Sequence, residues 1–151
     1  MIRLIDVTNI QDASEIIRVQ VPAYKIEAAI IGFSDIPPLK ETLDEIIQCK
    51  EQFYGYYVDD ELAGAISYQL EGNTLDICRL VVHPDHFRKG IASELLDFLL
   101  ALELPYKRVI VSTGTLNTPA ISLYKRFGFQ EAGQIQINEQ LSLINLEKNK
   151  S

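Results

Sequence analysis

"RLVVHPDHFRKGIASELL" runs from Arg79 to Leu96. An apolar, strand-like run gives way to a Pro84-Asp85 turn, then to Arg88, Lys89 and Gly90, and then to a stretch with helical spacing at Ile91, Leu95, Phe98, Leu99 and Leu102. A strand entering a helix through a short turn leaves the N–H groups of the first helical turn unpaired, at the positive end of the helix dipole. Such a turn can cradle an anion. Gly90 lets a ligand approach the backbone, Ala92 keeps the first turn small, and Arg88 and Lys89 add positive charge. The same residues also make an ordinary strand-to-helix turn. One glycine is neither a G-x-G-x-x-G fingerprint nor a nucleotide-binding P-loop.

The flanking sequence sets this stretch inside a mixed α/β pattern. Upstream, "FYGYYVDDELAGAISYQLEGNTLDICRLVVH" holds three aromatic or β-branched runs separated by Asp59-Asp60 and Gly72-Asn73, which reads as a meander of three strands. Before it come a first strand "IRLIDV" and a helix carrying Ile16, Ile17 and Val19, with Asp12 or Ser14 as its cap. "GFSDIPPLK" reads as a loop restricted by Pro37 and Pro38, and "LKETLDEIIQCKE" as a second helix. Downstream lie a strand "RVIVST" and a helix capped by Thr118, with Pro119 at its first position and Gly128 past its end. "FQEAGQIQI" and "QLSLINLE" alternate as two closing strands. Meander followed by strand–helix–strand predicts an α/β fold.

A chain of 151 residues, 47% hydrophobic, is the size of one domain, read here as residues 1–151. No apolar run approaches the roughly 20 residues of a bilayer span, and the first residues turn polar too early for a signal peptide, so the expected location is cytoplasmic, with no membrane partner. The formal charge is −7 with no basic stripe, which argues against nucleic acid. Cys49 and Cys78 form no disulfide framework, and Cys78 reads as a buried, inert thiol. His83 and His86 flank a turn without a third ligand, so no metal is expected.

Together with "NTPAISLYKRFGF" (Asn117–Phe129), the opening stretch resembles the GCN5-related N-acetyltransferase (GNAT) family, most strongly from Leu75 to Phe129. The resemblance implies a single-domain fold with a central mixed, mostly antiparallel sheet flanked by helices. It also implies strands that splay at the cofactor site, and acetyl-CoA as co-substrate. The family's [Q/R]-x-x-G-x-[G/A] loop maps onto Phe87 to Ala92, and Phe87 departs from it, with Arg88 alongside. By this resemblance Phe87, Arg88, Lys89, Gly90, Ile91, Ala92 and Ser93 hold the pyrophosphate. Leu80, Val81 and Val82 line the pantetheine arm, and Asn117 hydrogen-bonds the cofactor or caps a helix.

An amine attacking a thioester must lose a proton, the developing oxyanion needs donors, and the leaving thiolate needs a proton. A backbone N–H at Val81 or Val82, freed by the splay, would polarise the carbonyl. Tyr124 matches the family's tyrosine in "N-x-x-A-x-x-L-Y-x-x-x-G-F"; a phenol with a pKa of about 10 keeps its proton at neutral pH and can act as general acid. Two carboxylates compete as general base. Asp76, six residues before Val82, is expected on the same strand face. Glu27 comes from the region that shapes the acceptor pocket in the family. The shorter Asp76 would reach the amine through a bridging water.

The reading is an acetyl-CoA-dependent N-acetyltransferase acting on a small amine, a peptide N-terminus or a lysine. Glu27, Asp35, Glu41 and Asp76 outnumber Lys25 and Lys40 around the expected acceptor entrance, which favours a cationic acceptor. The rival is a non-catalytic module that senses acyl-CoA. The closing strands leave an edge that a second copy would cover, giving a homodimer.

Overall fold

The strands expected from alternation form, and one unpaired length of strand decides where the site lies. A computed structural model describes residues 1–150. In chain order the elements are β1 (Ile2–Ile5), α1 (Ile10–Ile31), α2 (Leu43–Gln48), β2 (Gln52–Val58), β3 (Glu61–Glu71), β4 (Thr74–Val82), α3 (Ile91–Ala101), β5 (Arg108–Gly114), α4 (Thr118–Arg126), β6 (Gln130–Gln136) and β7 (Ser142–Asn149). The seven strands make one sheet in the order β1-β2-β3-β4-β5-β7-β6. Only β4 and β5 run parallel; every other pair is antiparallel.

Helices cover both faces. On one side Ile91, Leu95, Leu96 and Leu99 of α3 and Leu123 and Tyr124 of α4 pack on Ile66, Tyr68, Leu75 and Ile77. On the other, α1 and α2 bury Ile16, Val19, Ala28, Ile31 and Ile46 against Phe53, Leu62 and Val81. Fully burying one such aliphatic side chain contributes about 1.5–3 kcal/mol, enough in sum to fix α3 on the sheet.

Two helix starts differ from the sequence expectation. Asn9, not Asp12 or Ser14, caps α1: its side chain accepts from the N–H groups of Gln11 and Asp12, while the Ser14 hydroxyl bonds back to the Ile10 carbonyl. Asn117, not Thr118, caps α4 by accepting from the Ala120 N–H. In both cases an asparagine that precedes the expected cap supplies the side-chain acceptor, Asn9 from an extended backbone and Asn117 from the residue just before Thr118. Helix α1 also continues through Pro22 to a left-handed Gly32, because its buried face runs unbroken through Tyr24, Ala28 and Ile31. That extra length carries Tyr24 and Glu27 over the sheet.

Strand β4 has the decisive geometry. It pairs with β5 only from Thr74↔Arg108 to Ile77↔Val111; beyond that point β5 continues along β7 and leaves β4. At the same place the β3–β4 register shifts: Tyr68 opposes Ile77 and Ser67 opposes Arg79, so Cys78 is an extra residue in β4. The bulge reverses the alternation. Leu75 and Ile77 belong to the α3–α4 core, as do Leu80 and Val82, whereas Val81 packs toward α1.

Candidate active site

Where β4 and β5 part, a cavity of about 630 Å³ opens. Its walls are β4 from Ile77 to Val82, β5 from Val111 to Gly114, the start of α3, α4, and the α1 face bearing Ala23, Tyr24 and Glu27.

At one end sits the turn into α3. Arg88 and Gly90 are both left-handed, with φ of 66° and 75°. Gly90 occupies the cap position and no side chain caps the helix. The first ladder bond runs from Glu94 N–H to the Gly90 carbonyl at 3.0 Å, so the N–H groups of Ile91, Ala92 and Ser93 lie ahead of the ladder and are free for a ligand. His86, Phe87, Arg88, Gly90, Ile91, Ala92 and Ser93 all face the cavity. Lys89 does not: its ammonium lies 3.1 Å from His86 Nδ1, outside the cavity wall, because the alternating left-handed residues turn it outward.

Along the middle, β4 presents unpaired backbone. His83 N–H bonds to the Ala63 carbonyl at 2.8 Å. Amides alternate in an antiparallel ladder, so the Val81 N–H faces β3 and those of Leu80 and Val82 face the gap left by β5. Of Val81 and Val82, only Val82 has its N–H on the open side. Cys78 lines this wall too. By surface area it is exposed, not buried, because the bulge turns it outward; the surrounding wall still takes part of the water from its thiol, and with Glu51 and Asp76 nearby this pushes its pKa up to about 12 and keeps it protonated.

At the far end the side chains carry ionisable chemistry. Tyr124 is 5% exposed, faces the cavity and packs its ring on Phe129 with centroids 5.4 Å apart. Burial raises its pKa above the usual phenol range, and Glu27 adds to the shift. Glu27 accepts from Asn117 Nδ2 at 2.8 Å and from the Thr113 hydroxyl at 3.5 Å. Burial raises the Glu27 pKa, and those two hydrogen bonds hold it back only in part. Asn117 lines the cavity, but both of its side-chain N–H groups are spent within the protein, on Glu27 and on Thr113 at 3.2 Å. The asparagine is therefore a cap and a holder of Glu27; its side chain retains no donor for a cofactor.

Asp76 is not on the Val82 face. The Cys78 bulge reverses the alternation, so Asp76 shares the Arg79 side of the sheet and lines neither this cavity nor its neighbour. Of the two carboxylates proposed as base, only Glu27 meets the cavity. Thr113 and Tyr24 escaped the sequence reading, as did a buried cluster around Arg79, which pairs with Glu41 and Glu51. A charged residue inside the apolar run "LDICRLVV" signals a buried ion pair, but its partners come from distant loops.

Among the described residues no group of three or more His, Cys, Asp or Glu side chains is placed to hold a metal, and no helix is long and apolar enough to cross a membrane.

A sheet split between its parallel strands, with a helix start at the split, defines the class of fold, and comparison with known proteins identifies the family. A family model described as the acetyltransferase (GNAT) family matches residues 16–129. The chain belongs to that family. The UPF0157 protein YqkA of Bacillus subtilis is 46% identical over 131 residues, covering 87% of this chain and 38% of YqkA. The chain spans between 30% and 53% of the length of the curated relatives it matches. Among solved structures, the PaiA N-acetyltransferase of Thermoplasma acidophilum in complex with coenzyme A superposes with a TM-score of 0.79 at 18% identity, covering 99% of both chains. An N-acetyltransferase of Staphylococcus aureus gives 0.76 at 22% identity over 100% of this chain and 98% of that one. At these identities the likeness is one of fold.

Proposed function

We propose that this domain, taken as one unit over residues 1–151, transfers an acetyl group from acetyl-CoA to a primary amine by direct attack on the thioester. The observation that carries the reading is the single cavity formed by the β4–β5 split. It has free amides at the α3 end and along β4, and a partly buried carboxyl and a buried phenol at the other end. These groups fit acetyl-CoA: the amides of Ile91, Ala92 and Ser93, with Arg88, suit a pyrophosphate, and the open edge of β4 suits an amide-bearing arm. Acetyl-CoA would supply the activated acyl group. The Val82 N–H is the donor for the thioester carbonyl as charge develops on its oxygen. Glu27 takes the proton from the amine; its raised pKa brings it nearer the proton affinity a base needs at neutral pH. Tyr124 holds its proton and gives it to the departing thiolate. Cytoplasmic location goes with this reading, since acetyl-CoA is available there.

The competing reading is a module that binds acyl-CoA and catalyses nothing. A buried Tyr124 and a Glu27 held by Asn117 and Thr113 favour catalysis, because sensing requires neither. Incubation with acetyl-CoA and a panel of amines, following free thiol, separates the two: amine-dependent thiol release is expected, and cofactor binding without release would establish the sensor. Tyr124→Phe should lower turnover by about 10²–10⁴-fold with unchanged cofactor affinity. Wild-type turnover under conditions where chemistry limits the rate would assign Tyr124 to packing.

A further inference from the structure

A second cavity of about 630 Å³ adjoins the first, and its charges are not what its arginine implies. Arg79 lies in the wall of both, where a guanidinium would ordinarily mark a site for a carboxylate or phosphate. Here it is saturated. Its five N–H groups all donate within the protein: Nε to Glu51, one Nη to Gln20 and Glu41, the other to Glu41 and Glu51. Two carboxylates on one guanidinium leave a net negative charge. Lys40, the other cation of this wall, is paired with Asp35, and Glu45 adds a further carboxylate at the rim. Four carboxylates therefore stand against two occupied cations.

An acidic cluster alone is not a site, but a separate group points into this one. Tyr24 is 9% exposed and borders both cavities, and no hydrogen bond engages its hydroxyl among the described residues. Its oxygen is not sealed off in the core, since no fully buried polar side-chain atom lacks a partner. It thus opens onto the cavities. Tyr24 lies one helical turn before Glu27, on the same face of α1. Between the two cavities the shared wall sets Pro37, Pro38, Ile137 and Leu141 beside Tyr24, Cys78 and Arg79. The sequence of surfaces is a base at Glu27, a largely apolar neck, then an uncompensated negative cluster beside a free hydroxyl.

We infer that the acceptor is a small molecule with two amino groups joined by a methylene chain, one amine presented to Glu27 and the other held as an ammonium by Tyr24, Glu41 and Glu51. Lone pairs for it remain: each of Glu41 Oε2 and Glu51 Oε2 accepts only one bond, from Arg79. This inference rests on the acetyltransfer reading of the first cavity and adds the substrate class.

The test compares α,ω-diamines of increasing length with monoamines of the same length and with lysine and glutamate, by thiol release and by calorimetry on the protein with coenzyme A. A diamine of one length should exceed its monoamine in kcat/KM by about tenfold or more, the scale of one hydrogen bond to a charged group. Glu45→Gln, at the rim, should raise KM for that diamine and leave KM for the monoamine and coenzyme A affinity unchanged, and Tyr24→Phe should raise KM for the diamine more than for the monoamine. Neither variant removes a partner of Arg79. Equal use of monoamine and diamine, preference for glutamate, or a peptide lysine used as well as the diamine would each overturn the inference while acetyltransfer stands. Diamine binding weakened by Tyr24→Phe but without thiol release would keep the cation site and overturn the transfer reading instead.

Discussion

The Glu27 carboxyl accepts from Asn117 and Thr113, yet loss of water dominates and its pKa is raised. A carboxyl whose folded-state pKa lies above its unfolded value contributes stability fully below the unfolded pKa, and that stability is lost as pH rises through the folded pKa. At neutral pH the charged Glu27 therefore costs the fold stability, a cost that its proposed role as base would offset in function. Glu27→Gln keeps an acceptor for Asn117 and removes the charge. The variant should melt higher than the wild type at pH 7.5, with the difference vanishing near pH 4, and should lose amine-dependent turnover. Its parent should show activity falling on the acid side through a pKa above the ordinary carboxylate value of about 4.3. Thermal melts at the two pH values, set beside the pH–rate profile, check both halves. A variant less stable at pH 7.5 would mean that the charge itself holds the site together.

At the scale of elements, β4 carries the site because it is pressed from behind and abandoned in front. A Cβ on Gly64 of β3 would come within 2.9 Å of the Val81 carbonyl and 3.0 Å of Ile91 Cγ2. Gly64→Ala should therefore push β4 and the first residue of α3 apart. The expected cost is about 1–3 kcal/mol of stability, with weakened coenzyme A binding, read by denaturant titration and calorimetry. Unchanged values in both would show that β4 yields freely. Gly90 differs. Nothing lies within 4 Å of a Cβ there, and the glycine serves a φ of 75°. Gly90→Glu should fold, at about 1–3 kcal/mol of backbone strain, and lower coenzyme A affinity by about tenfold or more through bulk and charge at the open amides. A folded variant with wild-type affinity would remove the α3 turn from the binding site.

Across the whole molecule, the closing hairpin inserts β7 beside β5 and leaves β6 at the edge. Every residue of β6 is exposed, and Ile135 is 51% exposed on it. An uncovered edge with an apolar residue is a template for another chain, so a homodimer through β6 is expected. Light scattering should give twice 17.1 kDa, and Ile135→Lys, which puts a charge on the exposed edge strand, should shift it to the monomer; a monomer at all concentrations in the wild type would rule the dimer out. The same insertion matters for the site. By drawing β5 away from β4, β7 opens the cavity that a continuous parallel pair would have closed.

Local chemistry determined much of this from the sequence alone. Alternation at "LDICRLVV" and helical spacing after Gly90 announced the strand, the turn and the helix, and the tyrosine motif placed Tyr124 on α4, because these depend on neighbours a few residues apart. Asn9 was overlooked as a cap, and Thr118 was read ahead of Asn117 for that role, although both starts are local, since several polar residues near each compete for it. Tertiary structure alone decided the rest. The Cys78 bulge, which moves Asp76 off the Val82 face, arises from pairing with β3. The saturation of Arg79 needs Gln20, Glu41 and Glu51, which are brought together only when α1, a loop and the sheet pack. The charge of a cavity is a sum over distant residues and over the hydrogen bonds they have already spent, and that sum exists only in the folded chain.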